Sequence, residues 1–237
     1  MKIAIDAGHG FNTPGKRSPD GTMREWSFNS DVATRVCELL KKYGINTLRT
    51  DDIMGKNDIG LSDRSQMIRA EKCDLSVSIH ANAGGGTGIE TFAYKPGTNA
   101  DKLANLVQAH LIRKTGMRDR GVKYSGFHMV VYPPCPAILC ELGFMDNASD
   151  LGKLKSDDYR FYCATAIVAG ILEYLRIENK EDEMTNEQFA KMMDHYLYER
   201  GLKPRLYNEH IKQGITDGTR PQSWATREEV AMMISRI

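Results

Sequence analysis

Through residues 1–176, short aliphatic runs alternate with stretches whose apolar residues recur every three or four positions. These are the signatures of buried strands and amphipathic helices. Lys2–Ile5 predicts a short buried strand. Val32, Val36, Leu39, Leu40 and Tyr43 share one helical face, and Gly44 is placed to end that helix in the left-handed conformation. Ile45–Thr50 predicts a second strand, and Ser62 is placed to cap a helix running to about Lys72. Leu75, Val77 and Ile79 alternate with Asp74, Ser76 and Ser78, marking a third strand that ends at His80. Gly88–Tyr94 reads as a fourth strand. Leu103, Leu106, Val107, His110 and Leu111 make a further helix, and Ala137–Cys140 reads as a short central strand leading into Glu141. Ala164, Ile167, Val168, Ile171, Leu172 and Leu175 line a last core-facing helix. Such alternation predicts an α/β fold, a three-layer domain around a mostly parallel central sheet.

The pattern changes after Arg176. Residues 177–184 (Ile177 to Met184) are short and charged, as linkers are. Residues 185–237 read as a small helical domain with an internal echo: Thr185, Glu187, Gln188, Phe189, Ala190, Met192 and Met193 recur in kind as Thr226, Glu228, Glu229, Val230, Ala231, Met233 and Ile234. Each copy opens with a capping box, Thr as N-cap and Gln188 or Glu229 three residues on. Two similarly built helix starts are the plainer account; a repeat is the other, since the shared apolar spacing extends beyond the cap.

Composition narrows the function. The chain has 237 residues, 41% of them hydrophobic and 27% charged, enough for a real core. Lys and Arg number 32 against 31 Asp and Glu. Residues 1–176 carry a small basic excess and the remainder a small acidic one. Neither piece has the basic surplus of a phosphate-backbone binder, so nucleic acid is not expected as a partner. The cysteine count is 5, with no C-x-x-C, which argues against a disulfide framework or a zinc knuckle and for synthesis in a reducing compartment. Met1–Ile5 runs into Asp6 with no apolar signal region, and no stretch approaches the roughly 18 apolar residues of a membrane span. The expectation is a protein made in the cytoplasm, with no membrane insertion.

Candidate chemistry sits near predicted strand ends. Asp6-Ala7-Gly8-His9-Gly10 follows the first strand but lacks the third glycine and the immediate helix of a dinucleotide fingerprint. His9, flanked by glycines, can project its imidazole from an exposed turn; a loop histidine is also often merely solvated. His80 ends the third strand, where α/β sheets bind ligands, although a histidine bonded at a strand end would look the same. Glu25 precedes the first helix, where the helix dipole alone favours an acid. Glu141 lies between apolar Ile138-Leu139-Cys140 and Leu142-Gly143-Phe144, a setting in which an ionisable group needs a reason. A buried Glu in a cleft is a candidate general base. Two His plus one carboxylate is a recognised catalytic zinc set with a fourth position left for water.

Several stretches together resemble the zinc-dependent N-acetylmuramoyl-L-alanine amidases of the amidase-3 type, found in bacterial autolysins and phage endolysins. They are Ile5-Asp6-Ala7-Gly8-His9-Gly10, Glu25 with Asn29, Leu61-Ser62-Asp63-Arg64, Ser78-Ile79-His80-Ala81-Asn82-Ala83, and Pro136 through Glu141-Leu142-Gly143-Phe144 to Asn147. They occur in family order over residues 1–175. The resemblance implies His9, Glu25 and His80 as ligands of one Zn2+, and Glu141 as the catalytic acid/base. Cys140 stands where an aliphatic residue is more usual, which bears on packing. In the tail, Gly214 to Pro221 followed by Ala225 to Val230 resembles the turn and helix start of S-layer-homology-like modules, which are associated with cell-wall polymers. A small helical tail mediating self-association is the alternative.

The expected organisation is therefore residues 1–176 as a zinc amidase domain, a charged linker at 177–184, and residues 185–237 as a wall-binding domain. The expected partners are bacterial peptidoglycan and secondary cell-wall polymers. The expected role is a phage endolysin, made in the host cytoplasm and acting on the wall after release. The rival readings are a metal-dependent peptidase or deacetylase on the same polymer, and a non-catalytic wall-binding protein.

Overall fold

The computed structural model describes residues 1–179. Most of the linker, the repeat and the helical domain expected at 185–237 lie outside the described residues. Met1–Glu178 forms one compact unit. Its elements are β1 (Lys2–Ala7), α1 (Glu25–Lys42), β2 (Asn46–Arg49), α2 (Leu61–Ala70), β3 (Leu75–Asn82), β4 (Ile89–Ala93), α3 (Asn99–Thr115), β5 (Asp119–Tyr124), α4 (His128–Val131), β6 (Ala137–Phe144), α5 (Ala148–Lys155) and α6 (Asp157–Leu175). The six strands form one sheet in the order β2-β1-β3-β6-β4-β5. Every pairing is parallel except that of β4 with β6. The α/β, mostly parallel architecture is as the sequence predicts.

Register decides what faces what. Residues two apart on a strand share a face, and paired neighbours extend that face across the sheet. One face carries Ile5, Ala7, Val77, Ile79, Cys140 and Thr91. Thr91 on this face donates to Gln108 of α3, and α3 packs on α6, which packs on α1. Cys140 is fully buried in this layer, where burial pushes its thiol up to about 12. The thiol thus fills an aliphatic slot as a small hydrophobe.

The opposite face carries Ala4, Asp6, Ser78, His80, Glu141 and Glu90. Among the described residues the short helices α2 and α4 pack on it, through a cluster of Ala4, Ile68, Cys73 and Met129. This cover ends near Asp6 and leaves the further part of the row for chemistry. No described helix is long and apolar enough to cross a membrane.

Several local expectations shift. α2 begins one residue before Ser62, with Gly60 as its N-cap. β3 runs on to Asn82 and β6 to Phe144. His80 and Glu141 therefore lie inside strands rather than at their ends. Gly44 has a φ of 69°, as expected of a residue closing α1.

Candidate metal centre and catalytic carboxylate

Glu25 is the first residue of α1, 2% exposed, and it joins the two histidines. Its Oε1 lies 3.0 Å from His80 Nδ1 and its Oε2 3.4 Å from His9 Nε2. The two imidazoles stand edge to face, 5.0 Å between ring centroids. One ligand atom from each of the three residues falls within 4.8 Å of the others. Burial alone would raise the Glu25 carboxyl, but its bonds to His80 and His9 more than offset that and hold it well below the usual carboxylate range. Two imidazole nitrogens and an ionised carboxylate are a donor set that fits a divalent cation such as zinc.

The surrounding residues fix this geometry. Asn29, one turn into α1, donates to Gly8 O at 3.1 Å and to Glu25 Oε1 at 3.4 Å. His9 sits at φ 66°, a conformation that costs a non-glycine residue ~1–3 kcal/mol. Arg64 of α2 anchors it. That side chain is fully buried, bonding His9 O at 2.9 Å, Ala7 O at 2.6 Å and Asp6 Oδ1 at 2.7 Å. Burial would raise Asp6, yet Arg64, Ser78 and Thr50 together hold it below the usual range. Bonds beyond the ligands of this kind orient a metal site as much as the ligands do. Arg64 was visible in sequence only as part of the Leu61–Arg64 stretch. Its placement four residues before Ile68, on the core-facing side of α2, was the available signal.

Gly8 is dictated by the same packing. A Cβ there would lie 2.0 Å from His80 Cε1. Gly8→Ala is expected to displace the His80 ring, destabilise the protein by ~1–3 kcal/mol and weaken metal affinity about 10–100-fold. Denaturant melts and metal titration of the purified variant check both; unchanged affinity would mean that the ring position is immaterial.

Glu141 stands beside this cluster, paired in register with His80 across β3 and β6. Burial pushes its carboxyl up to about 7, with Glu25 and Glu90 adding to the rise and His80 opposing it. Its Oε2 is buried without a hydrogen-bond partner among the described residues. The arrangement brings together all four residues singled out in the sequence: three that can share a cation, and a carboxyl poised near neutrality one strand away. Glu90, missed in the sequence, adjoins Glu141 on the other side.

Residues 3–173 match the family model for N-acetylmuramoyl-L-alanine amidase of the amidase-3 type. The chain is 38% identical over 178 residues to the uncharacterized protein YqiI of Bacillus subtilis, covering 73% of this chain and 84% of that one. It is 30% identical to the endolysin of Bacillus phage SPP1, covering 75% and 67% of the two. Two further curated relatives are longer, and the chain spans 35% of each. Among solved structures, the catalytic domain of CwlV, an N-acetylmuramoyl-L-alanine amidase from Bacillus (Paenibacillus) polymyxa var. colistinus, superposes with a TM-score of 0.70 at 30% identity, covering 75% of this chain and 99% of that domain.

Proposed function

Because this chain belongs to the N-acetylmuramoyl-L-alanine amidase family, we propose that it hydrolyses the amide joining the lactyl group of N-acetylmuramic acid to L-alanine of the peptidoglycan stem. In this reading His9, Glu25 and His80 hold one zinc ion, and Glu141 is the acid/base. The observation that carries it is the register pairing of Glu141 with His80, which sets a buried carboxyl of raised pKa beside the His-Glu-His cluster.

When bound, zinc supplies Lewis acidity: it acidifies water and offsets negative charge developing on a carbonyl oxygen. The protein's own residues do the rest. Glu25, kept ionised by its two histidines, and Asn29, tied to Gly8 O, fix the positions of His9 and His80. Glu141 accepts the proton of the attacking water as the new C–O bond forms at the amide carbon. It then delivers that proton to the alanine nitrogen as the C–N bond breaks, giving a carboxylic acid and a free amine; the acid's proton passes to the amine, leaving a carboxylate and an ammonium group. A group with a pKa near the working pH serves both transfers.

The role of an endolysin, releasing phage by cutting host peptidoglycan, belongs to the same proposal; the similarity to the phage SPP1 endolysin supports it. So does a wall-directing role for residues 185–237. Incubation with a soluble muropeptide should release new alanine amino termini without new reducing ends. A chain ending at Glu178 should do the same while losing activity on intact walls. New amino termini on other residues, or free amino sugars, would point to a peptidase or a deacetylase and refute the amidase. Full activity of the short chain on walls would refute the tail's role.

A further inference from the structure

The row of charge that contains His80 and Glu141 continues past β6. Glu90 of β4 is the direct antiparallel partner of Glu141, so both side chains leave the same face of the sheet. Glu90 is buried. Its Oε2 accepts from Arg120 Nε at 2.6 Å and from Lys123 Nζ, and its Oε1 accepts from Asn82 Nδ2 at 2.9 Å. Burial would raise Glu90, but Lys123 and Arg120 more than offset it and keep the carboxylate ionised.

Arg120 and Lys123 are three residues apart on β5 and would point to opposite faces of a regular strand. A bulge brings them together. Ile89 pairs with Asp119 while Thr91 pairs with Val122, so two steps on β4 oppose three on β5. Gly121, inside that irregularity, has a φ of 76°, the left-handed backbone that marks a glycine bulge. The extra residue turns Arg120 onto the face of Lys123, and both converge on Glu90.

The resulting charge does not balance. Two cations meet one buried carboxylate, and their side chains remain 26% and 39% exposed. The guanidinium of Arg120 is steadied over the ring of Phe144, 4.8 Å from its centroid. Among the described residues only its Nε is committed to Glu90, and the remaining planar N–H groups are those best suited to gripping a second carboxylate. A purely structural clamp on Glu90 would need one cation.

We propose that Arg120 and Lys123 form a subsite for a carboxylate of the stem peptide, two strands away from Glu141 across β4. The inference rests on the amidase reading and adds the substrate feature that the site selects. The N-acetylated sugars of the glycan carry no charge, so the free carboxylates of this substrate lie on its peptide side. The first of these beyond L-alanine belongs to an isoglutamyl residue, which occurs either as the acid or as the carboxamide. Glu90 is a positioning residue here: it holds both cations in place and leaves one positive charge uncompensated.

Two N-acetylmuramoyl dipeptides identical except for isoglutamate or isoglutamine test this, compared by kcat/KM with the full chain. The wild-type protein is expected to favour the acid by about tenfold, the worth of a partly exposed charge-assisted hydrogen bond. Lys123→Gln should bring the acid-to-amide ratio close to one, and Lys123→Arg should restore it. Arg120→Lys keeps the charge but loses the fork, and should lower the ratio as well. A merely structural role would reduce both substrates by one factor and leave the ratio alone. A ratio retained in both Lys123→Gln and Arg120→Lys, or a wild-type ratio near one, would overturn the subsite while leaving the amidase reading intact. A wild-type protein that cleaves neither dipeptide would overturn both.

Discussion

Glu141→Gln is expected to lower turnover by about two to four orders of magnitude, the usual contribution of a positioned acid/base, with metal content held at the wild-type level. The replacement keeps the volume and a hydrogen-bonding group on β6 but cannot accept the proton of water. Metal should be retained because the histidines and Glu25 form a cluster that does not include Glu141. Folding should also survive. Burial already drives the Glu141 carboxyl toward its neutral form, up to about 7, and its Oε2 makes no bond among the described residues that Gln would break. Metal analysis, a thermal melt and turnover on a soluble muropeptide together separate the outcomes. A variant that keeps its metal and near-normal turnover sinks the mechanism. One that loses its metal makes Glu141 a ligand and reopens the role of Glu25.

What the sequence made legible was set by burial. β1 and β6 are mainly aliphatic because the sheet is covered on both faces over most of their length, and such runs stand out against any background; β3 declares itself by the alternation of Leu75, Val77 and Ile79 with Ser76 and Ser78. β5 did not stand out. Asp119-Arg120-Gly121-Val122-Lys123-Tyr124 is an edge strand with a bulge, and charged residues with a left-handed glycine are what an edge position tolerates. The same bulge hid the convergence of Arg120 and Lys123, since period-two reasoning puts them on opposite faces. His80 and Glu141 were recognised as unusual, yet their pairing depends on the β3–β6 register, which links residues 61 positions apart in the chain. The role of Arg64 was hidden for a related reason: its partners, Asp6, Ala7 and His9, are brought to it by α2 packing on β1. Residues on one element declare their periodicity; contacts between distant elements do not.

Substitution of the two histidines should separate metal binding from stability. His80→Ala is expected to abolish metal binding and activity together and to cost about 3 kcal/mol, because it strips a partner from the buried Glu25 carboxylate. The vacated space against Gly8 adds to that loss. His9 has a different environment. Its side chain is 21% exposed, its contact with Glu25 is longer, and its backbone is held at φ 66°. His9→Gly removes the imidazole but supplies the one residue at ease in that conformation. Metal and activity should again disappear, whereas the metal-free protein should lose less stability than His80→Ala does, because release of the local backbone strain offsets part of the lost contact with Glu25. Denaturant melts in chelator, set beside metal titrations of the same preparations, read the two quantities independently. Retention of metal by His9→Gly would remove His9 from the ligand set. A large loss of stability in that variant would show that the imidazole, rather than the Arg64 bond to the His9 carbonyl, holds the loop in place.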